Sequence, residues 1–407
     1  MGAVRRDEVT PWGAVLPDDG SAMVDWLVAA EDRWHRPGDE PSVRQHLIDG
    51  VPVVETRLHV PGGDVVHRVT VVSDHGGVTL IEITNESPLP VAVALTRPDL
   101  WLVRPPTEVP TPGTDLPPGS VVLPLGHRAT LRAGLRHDAA PTGPLPGDLP
   151  EVNAVVRGWR SLCEQTGRLS LPDTAMVRAW TAARCQAALQ FDDDMVADPL
   201  GWLLRCTEAV RLGEPAERWL LDVSGAVERL LRPPRRWLGR RGPTPQHTDW
   251  DVWRALLGAQ SIAVRSGDVR AADDARALLA TCPDVVDQPD EAPDDVRAAA
   301  WYEDRLVRPL PDGGLALFPA GLPAAWFGAP LEVHDLAVGG DRRLSFALRW
   351  HGERPALLWE LSGATTPSTV SPPRLSVLGG GLDPGWSSDQ ASGEALLAVP
   401  PGAPAIT

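Results

Sequence analysis

The sequence contains 407 residues, of which 43% are hydrophobic and 23% charged, so the chain is long enough for two or three domains with their own cores. Its formal net charge of −16 would repel phosphate backbones and anionic lipids, which argues against nucleic-acid and membrane partners. All 38 basic residues are arginine, so mechanisms that need a lysine, such as Schiff-base chemistry, are excluded.

Residues 1–148 have the pattern of short β-strands. In "VPVVETRLHV", apolar or β-branched side chains alternate with polar ones from Val54 to Val60. Similar runs follow, separated by Gly-Gly and Pro-rich breaks, and the Pro-rich stretch 141–150 suggests a domain boundary. The pattern predicts an N-terminal antiparallel β-sandwich over 1–148.

Between 151 and 306 the hydrophobic period changes to that of helices. Six helical segments follow one another, several beginning at Asp, Thr or Pro and several ending at Gly, as helix caps predict. Paired in sequence, they would form three α-hairpins. A seventh helical pattern lies at 294–307.

Beyond residue 312, short strand patterns return and predict a small C-terminal β-sandwich over 312–407. Within it, "SFALRWHGERPALLWEL" alternates as a β-hairpin does, with "HGER" as a four-residue loop. This register would bury Trp359 in a core and leave Trp350 partly exposed. The predicted cross-strand pairs are Leu344 with Leu361, Phe346 with Trp359, and Leu348 with Leu357.

Cysteine spacing and hydropathy indicate the compartment. The four cysteines form no CxxC motif and have apolar neighbours at helical spacing, which predicts buried free thiols. The N-terminal segment has no apolar region typical of a signal peptide, and no run reaches membrane-spanning length. We therefore expect a cytoplasmic protein. The cysteines are Cys163, Cys185, Cys206 and Cys282.

The order of these regions resembles that of bacterial six-hairpin glycosidases and phosphorylases. Phrases in all three regions support it, namely "VTLIEITNESPLPVAVAL", "LPDTAMVRAWTAARCQAAL" and "LSFALRWHGERPALLWEL". The resemblance covers nearly the whole chain and implies an α+β multidomain protein with a central α/α toroid and an oligosaccharide or polysaccharide ligand. A complete toroid has twelve helices, two from each hairpin, so the six or seven found here imply a partial toroid.

A partial toroid has two consequences under this resemblance. In the family, the catalytic acid and base come from different hairpins across the toroid mouth, so a shortened domain could lack one of them. A second copy of the chain could also complete the toroid, which would make the protein a homo-oligomer that covers its open helical face.

Two segments supply candidate catalytic carboxylates, since glycosidic hydrolysis usually needs two. In "HTDWDVW", Asp249 or Asp251 could act as acid or base, but Thr248 and Asp251 also fit a capping box at a helix start. In "AWYEDR", Glu303 is the candidate base, and a surface salt bridge is the alternative.

Tryptophan is abundant, with 16 residues, and its flat ring can stack on sugars. A GC-rich genome would also favour tryptophan codons, so the abundance has a second explanation. The sugar-stacking candidates are Trp250, Trp253, Trp301 and Trp350.

The sequence predicts no cofactor and no metal site. "QFDDDMVADPL" concentrates aspartates at 192–194 and Asp198, as a cation site or a solvated loop would, but without EF-hand spacing. Histidines occur in no HExxH pattern, and neither a GxSxG elbow nor a dinucleotide-binding GxGxxG unit is present.

Three functional hypotheses remain. The favoured one is a carbohydrate-directed protein that binds a glycan with catalysis weak or lost. The alternatives are an active glycoside hydrolase that uses two carboxylates, and a non-catalytic protein-interaction scaffold.

Overall fold

The computed structural model describes residues 7–106, 115–138, 143–189, 195–232, 247–283, 287–310, 313–363, 375–377 and 382–399. Strands occupy the N-terminal region, helices the central region and strands again the C-terminal region, which confirms the predicted α+β order. The chain forms two compact units, Met1–Arg160 and Ser161–Thr407. The finer domain boundaries at 148, 151, 306 and 312 stay predictions.

The first unit contains twelve strands among its described residues. They are β1 (Glu8–Val9), β2 (Val15–Leu16), β3 (Trp26–Ala29), β4 (Trp34–His35), β5 (Arg44–Leu47), β6 (Val54–Val60), β7 (Gly63–Val72), β8 (Val78–Asn85), β9 (Val91–Leu95), β10 (Trp101–Leu102), β11 (Val121–Leu125) and β12 (Thr130–Arg136). One antiparallel sheet has the order β10-β12-β8-β7-β6-β5 and another the order β11-β9-β3-β4. Side chains of both sheets share one buried core, as in a β-sandwich.

Strand β6 shows where simple alternation holds and where it fails. Leu58 is buried and His59 is exposed, as the alternating pattern predicts. Glu55, expected on the polar face, is instead buried at 5% exposure. It is accommodated because Arg57 and Arg68 contact its carboxylate at 2.7 and 2.8 Å, which compensates for the loss of water.

The described residues contain seven helices, in agreement with the six predicted helices and the seventh pattern. They are α1 (Val152–Glu164), α2 (Thr174–Leu189), α3 (Pro199–Arg211), α4 (Leu220–Leu231), α5 (Asp249–Arg265), α6 (Val269–Leu279) and α7 (Ala298–Leu306). Four begin after a residue whose side chain accepts a hydrogen bond from the first turn, namely Asp173, Asp198, Thr248 and Asp268. In the second unit, α3 packs on α2, α4 and α5, and α7 packs on α2.

The rest of the second unit is formed by two sheets. Their strands are β13 (Arg168–Ser170), β14 (Val307–Pro309), β15 (Leu315–Leu317), β16 (Leu331–Ala337), β17 (Arg343–His351), β18 (Arg354–Ser362), β19 (Leu375–Val377), β20 (Ser387–Ser388) and β21 (Ser392–Leu396). The sheet orders are β13-β16-β17-β18-β21 and β14-β15-β19-β20, and β15 pairs with β19 in parallel. The core of these sheets also contains Trp180 from α2 and Leu306 from α7.

The predicted hairpin is formed by β17 and β18 with the predicted register at all three pairs. The loop is shorter than expected, because His351 still pairs with Arg354. Gly352 adopts a φ of +62°, which two-residue hairpin turns favour and only glycine adopts easily. Trp359 is buried at 7% exposure, and Trp350 is half-buried, as predicted.

No helix in the described part of the chain is both long and apolar enough to cross a bilayer.

The cysteines are free thiols, and three of the four are buried, as predicted; Cys282 is partly exposed. Burial raises the pKa of Cys206 to about 12. We expect iodoacetamide at pH 8 to alkylate Cys282 first, because Cys282 is partly exposed, and to reach Cys206 only after unfolding, because the thiolate is the reactive form. Peptide mass spectrometry with and without denaturant measures this order. Equal labelling of Cys206 in the native and denatured protein would contradict it.

Candidate functional site

The two segments that carry the candidate carboxylates meet in the second unit. "HTDWDVW" begins α5, and "AWYEDR" lies on α7. The indole Nε1 of Trp250 donates a hydrogen bond to Oδ2 of Asp304 at 2.6 Å. Positions 54 residues apart in sequence are thereby in direct contact.

The start of α5 is a complete capping box. The hydroxyl of Thr248 accepts from the backbone N–H of Asp251 at 3.2 Å, and the Asp251 carboxylate accepts from the backbone N–H of Thr248 at 2.8 Å. Asp251 is only 1% exposed and also contacts Arg297 at 3.4 Å. Asp249 lies exposed in the first turn, where the helix dipole favours a negative charge. The predicted capping role is confirmed, and catalytic roles for both aspartates stay predictions.

Three of the tryptophan candidates form one buried cluster. Trp250, Trp253 and Trp301 are 1%, 2% and 9% exposed. The Nε1 of Trp301 donates to the carbonyl of Pro289 at 2.7 Å. Because protein atoms cover these rings, the arrangement argues against stacking on a sugar. Trp350 lies on β17, where its Nε1 donates to the carbonyl of Ala329 at 3.0 Å.

Glu303, the candidate base, is a buried ion-pair partner and lies 2% exposed. Arg211 contacts its Oε1 at 2.8 Å, and Arg254 contacts its Oε2 at 3.0 Å. Trp180 also donates to Oε1, at 3.2 Å. Burial alone would raise the pKa of Glu303, but the two guanidinium groups lower it to about 2. The salt-bridge alternative therefore describes the contact, although the pair is buried and not on the surface.

Further charges extend this pair into a network across four helices. Glu208 on α3 contacts Arg184 on α2 at 2.6 Å and Arg211 at 3.1 Å. Asp304 contacts Arg254 at 3.3 Å. Three guanidinium groups are thus matched by three carboxylates. We call this set, Arg184, Arg211, Arg254, Glu208, Glu303 and Asp304, the charge network.

The two neighbouring carboxylates of α7 have pKa values shifted in opposite directions. Burial raises the pKa of Asp304, while that of Glu303 is lowered. Such divergence is typical of an acid–base pair in an active site. Asp304, however, has no solvent exposure and does not line the cavity described next, so a substrate there would not reach it.

A cavity of about 70 Å³ lies beside the charge network. Its walls come from α2, α3, α5, α7 and the turn after β16, and Glu303 and Glu208 carry carboxylates in the described lining. Helices α3 and α5 approach closely here, since a Cβ at Gly258 would lie 2.1 Å from the hydroxyl of Thr207. A water needs at least about 10–15 Å³, so the cavity has room for several. The charged lining residues are Glu208, Arg211, Arg254, Arg265 and Glu303.

The described part of the aspartate-rich segment contributes no second candidate site. Asp192, Asp193 and Asp194 lie outside the described residues, and Asp198 caps α3 by accepting from the N–H of Gly201 at 2.9 Å. Over the described ranges, no group of three or more His, Cys, Asp or Glu side chains could hold a metal ion.

The sequence did not identify the arginines or Glu208. Arg205, Glu208 and Arg211 recur every three residues on α3, which puts them on neighbouring positions of one helix face. The apolar residues around them, in "GWLLRCTEAVRLG", are the one signal that this face is buried.

No protein-family model matches the chain, and none of the curated proteins compared with it does so.

Glu303→Gln tests the charge network. Removing the carboxylate takes one of two carboxylate partners from each of two buried guanidinium groups, since Arg211 keeps Glu208 and Arg254 keeps Asp304. We expect a loss of about 3 kcal/mol in the free energy of unfolding at pH 7. Urea denaturation monitored by circular dichroism measures it. Glu228→Gln is the matched control, because Glu228 is exposed and contacts Arg232 across one helical turn. It should cost less than about 1 kcal/mol.

The difference in free energy of unfolding between the wild type and Glu303→Gln should depend on pH. The folded-state pKa of Glu303, about 2, lies below its ordinary value of 4.5. Its stabilisation, about 3 kcal/mol, is therefore complete above pH 4.5 and lost as the pH falls towards 2. The gap between Glu303→Gln and the wild type should narrow over that range. A gap that stays constant down to the acid transition would contradict the assignment.

Proposed function

We propose that the protein binds a carbohydrate in the cavity of its helical region without cleaving it, on a partial α/α toroid related to six-hairpin glycosidases. The observation that carries the proposal is that the carboxylate of Glu303 is held in buried ion pairs. This carboxylate lies in the cavity wall, but both of its oxygens already accept hydrogen bonds from two arginines and a tryptophan. It is placed to contribute to a polar binding surface and poorly placed to transfer a proton.

The lining supports a polyhydroxyl ligand. Sugar hydroxyl groups both donate and accept hydrogen bonds, and ionised carboxylates and guanidinium groups supply the matching acceptors and donors. The charge network holds Glu208 and Arg211 in fixed orientations, so little side-chain entropy would be lost on binding. Gly339 and Gly340 line another side of the cavity and leave the backbone accessible.

The pKa values support binding without hydrolysis. A general acid must hold a proton near neutral pH, which Glu303 does not do with a pKa of about 2. Glu208, the second carboxylate of the described lining, is held by Arg184 and Arg211. An active hydrolase would need one of these ion pairs to open.

Other parts of the hypothesis rest on the sequence. The element order and the seven described helices are consistent with a partial toroid. Completion by a second copy and a cytoplasmic location stay predictions.

A thermal-shift screen with neutral α- and β-linked oligosaccharides at millimolar concentration tests the proposal. A ligand present at a hundredfold excess over its Kd should stabilise the native state by about 2.7 kcal/mol. Ser261→Leu should abolish the shift, because Ser261 lines the cavity and its hydroxyl donates, among the described residues, to the Leu257 carbonyl of its own helix. Ser224→Leu is the matched control, with the same bond to Leu220 on an exposed helix face.

Each result has a distinct meaning. A shift with one linkage type that Ser261→Leu removes and Ser224→Leu retains supports binding in the cavity. No shift across the panel together with no binding of an acidic sugar, or a shift that both variants retain, would contradict the proposed function. Chromatography of the bound sugar after incubation checks that the sugar is not cleaved, since release of a shorter product would show an active hydrolase.

A further inference from the structure

One cation of the cavity, Arg265, forms no ion pair with a carboxylate of the described residues. Arg265, in the last turn of α5, lines the cavity, and its Nη1 donates to the carbonyl of Val210 at 3.1 Å. Its other N–H groups make no hydrogen bond to protein in the described ranges, and no carboxylate there lies within ion-pair distance. A guanidinium has five N–H donors, so four are left for a ligand or water.

The charge balance makes Arg265 the excess cation. Within the charge network, three arginines are matched by three carboxylates, so that set has no net charge if all six groups are ionised. Arg265 adds one positive charge to the cavity wall. This local excess occurs in a chain whose formal net charge is −16.

We propose that the cavity binds an anionic group of its ligand, a carboxylate, sulfate or phosphate, with Arg265 as the binding residue. The inference rests on the proposed function for the location of the site, and it specifies the chemistry of the ligand. A planar guanidinium matches two oxygens of such a group at once, which gives a charge-assisted, bidentate contact. A cavity of about 70 Å³ has room for a group of that size.

The surroundings of Arg265 favour an incoming anion. Partial burial disfavours its charged form most, the neighbouring Arg343 and Arg211 add to this, and Asp341 and Glu208 oppose it, so the pKa of Arg265 is lowered. A guanidinium nevertheless keeps its proton at physiological pH. An anion in the cavity would offset both the lost hydration and the repulsion between the arginines.

Arg265 also has a structural role, which an experiment must distinguish from ligand binding. Val210 lies in the last turn of α3, where carbonyl groups carry partial negative charge, and its carbonyl also accepts from the backbone N–H of Gly213 at 3.3 Å. The bond from Arg265 to this carbonyl stabilises that helix end. A variant can therefore lose stability without any loss of binding.

Isothermal titration calorimetry at constant ionic strength tests the proposal, with sodium acetate, sodium sulfate, sodium phosphate, sodium glucuronate and neutral glucose as probes. We expect at least one anion to bind the wild type. Arg265→Gln should weaken that binding by about tenfold or more, since a charge-assisted hydrogen bond contributes at least about 1.5 kcal/mol. Arg265→Lys should retain part of the affinity, because it keeps the charge and loses the planar fork.

Arg232→Gln is the matched control. It removes one positive charge from an exposed ion pair with Glu228 and should leave anion binding unchanged. The free energy of unfolding of each variant is measured alongside, so that a loss of helix capping is recorded separately. If Arg265→Gln lowers stability but binds the anion as the wild type does, Arg265 is only a capping residue and the proposal is wrong.

The probes also identify the source of the anion. They distinguish a failure of this inference from a failure of the proposed function. Tighter binding of glucuronate than of acetate or sulfate indicates an acidic sugar, and equal or tighter binding of sulfate or phosphate indicates a free oxyanion; both support the inference. If no anion binds while neutral oligosaccharides do, the inference fails and the proposed function stands. Anion binding without any sugar binding supports the inference and overturns the proposed function.

Discussion

The contact on which the helical region depends is the pairing of Glu303 with Arg211 and Arg254. A carboxylate 2% exposed has lost almost all its water, and the two guanidinium groups, with a hydrogen bond from Trp180, compensate for that loss. The three residues lie on α7, α3 and α5, so the pairing requires these helices to occupy one relative arrangement. Apolar packing alone would tolerate small shifts along a helix axis, whereas a bidentate contact tolerates few. Residues of these three helices line the cavity.

The same pairing determines what the cavity could do. An ionised carboxylate between two arginines is a fixed hydrogen-bond acceptor and not a proton donor, so stability and acid catalysis compete for one side chain. Arg265 adds one positive charge to the cavity wall beyond the matched charges of the network. The proposed binding role and the proposed anionic ligand thus rest on the same geometry.

Local patterns were enough to predict much of the fold. Alternation over "SFALRWHGERPALLWEL" gave the correct register of β17 and β18, and the Thr248–Asp251 spacing gave the capping box. Both depend on neighbours within a few residues. The burial of Glu303 depends on Arg211, 92 positions away, and the parallel pairing of β15 with β19 joins strands far apart in sequence. A single sequence contains no local sign of such contacts, so the expectation of an exposed Glu303 was reasonable but wrong. The four-residue hairpin loop was wrong for a local reason, because Gly352 adopts the positive φ of a two-residue turn.

The absence of lysine has a consequence for the cavity. The cations of its described lining are all guanidinium groups, which stay protonated at physiological pH, and Glu303 keeps its charge down to about pH 2. Titration of these groups would therefore leave the wall nearly unchanged across the range in which most proteins function. If occupancy of the cavity varied with pH, the change would report the ionisation of the bound molecule and not that of the arginines or of Glu303. The charges of the arginines and of Glu303 would then stay constant while the charge of the ligand changed with pH.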